Sequence, residues 1–103
     1  MLPDHLQESL QELNIEVPTC RSILLVDDEP ENLDVLAALL EETYEVATAA
    51  DGADALEVIN SLGGVDLIIA DQRMPRMTGV ELLSHVASKY PETIRIVLTA
   101  YSD

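Results

Sequence analysis

Three carboxylates and one hydroxyl stand at places where a chain can do chemistry. Asp27 and Asp28, with Glu29 behind them, directly follow the apolar run Ile23-Leu24-Leu25-Val26. Asp71 follows Leu67-Ile68-Ile69-Ala70, and Thr99 follows Ile94 to Leu98. A single Asp at the end of such a run ordinarily caps the next helix. Grouping Asp27, Asp28 and Asp71 adds like-charge repulsion that capping does not require. A hard divalent cation removes that repulsion. Mg²⁺ is commonly held by one or two carboxylates together with phosphate and water, and its binding is linked to their ionisation.

These residues meet only if the intervening elements bring them to one rim. Ile23 to Val26 suits a strand buried on both faces. Pro30 is well placed to open a helix running to about Glu42, with Leu33, Leu36, Ala37 and Leu40 as its apolar stripe. A second strand spans Tyr44 to Thr48, and Asp51-Gly52 turns the chain. The next helix covers about Ala53 to Leu62, with Leu56, Ile59 and Leu62 inward and Gly63-Gly64 as its stop. Leu67 to Ala70 forms a third strand, followed by a loop from Gln72 to Thr78. Thr78 and Glu81 form a capping box for a third helix whose Leu82, Leu83 and Val86 face the core and which Pro91 ends. Ile94 to Leu98 is the fourth strand. The order βαβαβαβ implies right-handed crossovers and an α/β parallel sheet with helices on both faces. In such sheets ligands sit beyond the carboxyl ends of the strands, where all four candidate residues lie.

Composition narrows the function. The 103 residues make one small domain, and with no Phe or Trp its core is aliphatic. Twenty acidic residues against five basic ones give a formal charge of −15, which argues against nucleic acid as a partner. Cys20 is the only cysteine, so no intrachain disulfide forms and a reducing, cytoplasmic setting is expected. No signal peptide and no membrane-spanning run is legible. Residues 1–21 read as an N-terminal helical extension or linker. Leu6, Leu10 and Leu13 lie at helical spacing from His5 to Leu13, and Asp4 with Gln7 resembles a capping box. His5 and His85 lack ligand spacing and read as surface residues, Met74 and Met77 as loop packing, and Cys20 as inert.

From Ile23 to Pro30 the chain resembles the opening of a bacterial response-regulator receiver domain. Asp66 to Pro75, with Gly79 beyond it, is similar to that family's acceptor strand and loop, and Leu98-Thr99-Ala100 to its fourth strand end. The resemblance covers residues 22–103 and implies a flavodoxin-like doubly wound sheet with four of the usual five βα units. It implies that Asp71 is the phosphoacceptor, attacking the phosphohistidine of a sensor histidine kinase to switch an output domain or partner protein. It further implies Mg²⁺ held by Asp28, Asp71 and the backbone carbonyl of Arg73, with Asp27 acting through water and Thr99 contacting the phosphoryl group. Pro75 stiffens the loop, and Gly79 lets a helix begin close to the site.

The resemblance also exposes a departure. The family's fifth strand, the lysine before it and the last helix have no counterpart up to Asp103, and Lys89 lies at the wrong end of the third helix to substitute. We expect a fragment of a longer protein, whose fourth strand is an unpaired edge able to support a homodimer. The competing reading is an interaction module that is never phosphorylated. A hydrolase of the aspartyl-phosphate type fits poorly, because Arg73 stands where that chemistry wants a second acid. The chain is therefore read as a signalling domain rather than an enzyme.

Overall fold

The structure, a computed structural model, describes residues 20–99. The helix expected over His5 to Leu13, and Tyr101, lie outside the described residues. Seven elements alternate: β1 (Ser22–Val26), α1 (Pro30–Leu40), β2 (Glu45–Ala49), α2 (Gly52–Leu62), β3 (Leu67–Asp71), α3 (Gly79–Lys89) and β4 (Ile94–Leu98). The strands form one parallel sheet in the order β2-β1-β3-β4. β1 and β3 are central, which is why their sequences are apolar without alternation: each side chain meets a helix or a neighbour on one face or the other.

The main core lies between the sheet and the pair α2 and α3. Leu24 and Val26 of β1 and Ile68 and Ala70 of β3 pack there against Ala55 and Ile59 of α2 and Leu82, Leu83 and Val86 of α3. The opposite face carries Ile23 and Leu25, both buried, and is covered by α1 alone among the described elements. The stripe Leu33, Leu36, Ala37 and Leu40 does face inward, yet all four are only half-buried, and α1 has no fully buried residue. A single helix cannot enclose a four-stranded face.

Two local expectations are corrected. Leu62 is 56% exposed, not inward. The buried stripe of α2 runs through Gly52, Ala55 and Ile59, and Leu62 sits on the last turn, just before Gly63 reverses the chain at φ 75°. There it borders an open groove with Ile23, Val46 and Ala47 at the amino-terminal end of the sheet. Asp51 and Gly52 do not form a separate turn. Asp51 is the N-cap of α2, its Oδ1 accepting the Asp54 N–H at 2.8 Å, and Gly52 is already helical. The capping box of α3 is present in full, with Thr78 Oγ1 accepting from Glu81 N and Glu81 Oε1 accepting from Thr78 N.

Long-range polar ties fix the register. The Asp66 carboxylate accepts the Arg21 N–H at 2.8 Å and the Ser22 N–H at 3.0 Å, joining the entry of β3 to that of β1. At the opposite edge, Ile94, Ile96 and Leu98 of β4 remain 54%, 41% and 44% exposed. They alternate with Val97, which faces α3, and so lie on the α1 side, where no described helix reaches them.

Candidate phosphoacceptor and metal site

The carboxyl ends of β1 and β3 bring Asp27, Asp28 and Asp71 together. One carboxylate oxygen from each lies within 4.8 Å of the others. An N-cap contributes about 1 kcal/mol. Two unit charges at this spacing repel by about 3 kcal/mol at an effective dielectric of about 20. Capping alone does not require the three oxygens to lie so close, and a divalent cation among them would offset their repulsion.

The three acids are not equivalent. Asp27 is buried and already engaged: Oδ1 accepts the Glu29 N–H at 2.9 Å and Oδ2 accepts Asn32 Nδ2 at 3.1 Å. Part of its work is thus the capping-type role that its position at a strand end suggests. Asp28 is exposed and projects no bond of this kind among the described contacts. Asp71 is half-buried, and its carboxyl is held above the usual range. Burial is the main cause and the charges of Asp27 and Asp28 add to it, against the backbone N–H groups of Arg73 and Gln72, which favour the anion. A carboxylate so placed is penalised until a cation joins it. The donor set is all oxygen, which fits a hard ion such as Mg²⁺.

The register carries the fourth group in. Asp71 pairs with Leu98, and Gln72 N–H donates to the Leu98 carbonyl at 3.0 Å, so Thr99 follows directly after the partner of Asp71. Thr99 is exposed. Gly79 brings α3 up against the site: a Cβ there would stand 2.6 Å from the Asp71 carbonyl and 2.9 Å from Val97 Cγ2. Only glycine permits that approach.

The residues set aside on sequence grounds lie elsewhere. Lys89 sits at the far end of α3, its Nζ donating to Asn60 Oδ1 at 2.9 Å. His85 is exposed on α3. Met74 is buried in the core, and Met77 packs on Gly52. Burial, helped by Asp66, pushes the Cys20 thiol up. Two residues near the site escaped the sequence reading. Arg76 has a positive φ of 69° and pairs with Asp51 at 3.4 Å. Gln72 bonds through both its main chain and its side chain. Neither has a periodic or motif signal of its own.

The family model for the response regulator receiver domain matches residues 23–103. This chain belongs to that family. Its relatives among characterised proteins include the hydrogenase transcriptional regulatory protein HoxA of Cupriavidus necator, 40% identical over 82 residues that make up 80% of this chain and 17% of that protein. The sensor kinase CckA of Brucella abortus is 36% identical over 84 residues, 80% of this chain and 9% of that one. The receiver domain thus spans less than a fifth of either relative. A solved receiver domain from Clostridium thermocellum superposes with a TM-score of 0.75 at 30% identity, covering 81% of this chain and 68% of that one. The parallel four-stranded sheet with three helices matches the receiver fold over the part of it that this chain covers. The domain is a signalling domain of two-component systems, and the reading as an interaction module that is never phosphorylated is not favoured. Among the described residues no helix is long and apolar enough to cross a membrane.

Proposed function

We propose that this receiver domain takes a phosphoryl group onto Asp71 from the phosphohistidine of a sensor histidine kinase, and that the change switches an output domain or partner protein in the cytoplasm. The observation that carries the reading is the half-buried Asp71 carboxylate, with Asp27 and Asp28 close enough to share one cation with it. An Asp71 carboxylate oxygen forms the bond to phosphorus as the phosphorus–nitrogen bond breaks, and the imidazole leaves. The transition state is loose, with charge spread over the equatorial oxygens, so positioning and electrostatics carry most of the catalysis.

Asp28, Asp71 and the Arg73 carbonyl would hold Mg²⁺, with Asp27 acting through water. Held there, the ion would supply positive charge to the phosphoryl oxygens. Thr99, next in line beyond the Asp71 partner, supplies a hydroxyl to one of those oxygens. Asp27 serves best from a distance, since both its oxygens already accept hydrogen bonds.

Incubation with a small acyl phosphate and Mg²⁺ tests this directly. Intact mass should rise by one phosphoryl group, labile to hydroxylamine, and Asp71→Asn should abolish it. Label persisting in that variant would reassign the acceptor. No label in the wild-type chain would leave partner binding as the domain's activity.

A further inference from the structure

The loop after β3 leaves Asp71, passes through Arg73 and returns at Thr78 to start α3. Gln72 ties both of its ends. The Gly79 N–H donates to the Gln72 carbonyl at 3.2 Å, the Val80 N–H donates to Gln72 Oε1 at 2.9 Å, and the Gln72 N–H donates to the Leu98 carbonyl at 3.0 Å. One residue therefore connects the acceptor, the strand end that precedes Thr99, and the first turn of α3.

The helix does not need the side-chain bond. Its own capping box serves the Thr78 and Glu81 N–H groups, and Val80 is exposed, so water could take its N–H. The Gly79 N–H to Gln72 carbonyl bond already closes the loop, and what the Gln72 amide adds is a second tie one residue further on, at Val80, which holds the Asp71-Gln72-Arg73 backbone more firmly at a set distance from α3. Gly79 acts on the same contact, since α3 can approach the Asp71 carbonyl only where no Cβ intervenes.

We propose that Gln72 is a positioning residue: its side-chain bond to the amino terminus of α3 sets the Asp71 carboxylate and Arg73 carbonyl for the cation. The inference rests on the metal site of the preceding reading. It assigns Gln72 no contact with the cation or with the phosphoryl group.

Calorimetric titration of Mg²⁺ into the full chain, with melting temperatures taken in EDTA, tests it. Gln72→Met keeps the length of the side chain and removes the acceptor. It should weaken Mg²⁺ binding about tenfold, at the low end for loss of a group that orients a metal ligand, while the metal-free melting temperature holds. Gln72→Glu restores the acceptor and should bind at least as tightly as wild type. Equal affinity in wild type and Gln72→Met would overturn the inference. So would a parallel fall in metal-free stability, which marks a structural role only, or a failure of Gln72→Glu to restore binding. Absence of Mg²⁺ binding in the wild-type chain would instead remove the metal site itself, and this inference with it.

Discussion

Asp71 carries the tension of the site. Burial and two neighbouring carboxylates hold its proton more tightly than in the unfolded chain, so the folded state binds that proton better. Its contribution to stability is therefore complete below the unfolded value of about 3.9 and is lost as pH rises through the folded value. The ionised side chain should then be destabilising in metal-free protein at neutral pH. Asp71→Asn should accordingly raise the melting temperature in EDTA at neutral pH, and the gain should vanish as pH falls towards 4. Added Mg²⁺ should stabilise wild type and not the variant. A neutral or lower melting temperature for Asp71→Asn in EDTA would mean that the acidic cluster is not under repulsion.

At the scale of elements, the site depends on how closely α3 meets β3. Its capping box fixes where the helix starts, and Gly79 allows that start to lie against the end of β3. Gly79→Ala inserts a methyl group 2.6 Å from a backbone oxygen, where neither partner is a flexible side chain. Overpacking of this kind costs about 1–3 kcal/mol. We expect a fall of that size in urea denaturation, together with weaker Mg²⁺ binding, since relief requires α3 to move off the loop that carries Arg73. Unchanged stability would show that α3 has room to shift without cost. The neighbouring Arg76 holds a left-handed backbone usually left to glycine. Its ion pair to the cap of α2 is mostly solvent-exposed and adds little in return.

For the molecule as a whole, the uneven cover of the two sheet faces decides behaviour. Among the described residues the α2–α3 side is closed, while β4 is an edge strand and leaves the side chains of Ile94, Ile96 and Leu98 exposed on the α1 side. Free N–H and C=O groups beside apolar side chains template pairing with another chain. The 103-residue chain should therefore associate in light scattering, and Ile96→Lys should shift it towards monomer. A wild-type monomer that associates only after deletion of residues 1–18 would identify that segment as the cover. A monomer indifferent to both changes would refute the argument.

Much of this was legible in the sequence, because much of it is local. Apolar runs marked β1 and β3, the Thr78-x-x-Glu81 spacing marked the start of α3, Gly63 marked the end of α2, and the acids after two strands marked the site. The family motifs joined these into the receiver fold. What remained belongs to contacts between residues far apart in the chain. Periodicity placed Leu62 on the apolar side of α2, but only the packed sheet shows that the last turn extends past it. The spacing of Leu33 to Leu40 found the inner face of α1 but not its partial burial, which depends on what else covers that face. Side-chain type could not distinguish Asp27, whose oxygens are taken by Glu29 and Asn32, from exposed Asp28. The ties from Asp66 to Arg21 and Ser22 and from Gln72 to Val80 and Leu98 likewise have no local signature. Hydrogen bonds and burial that depend on strand order and register arise only when the sheet closes, and that was decided by the tertiary structure.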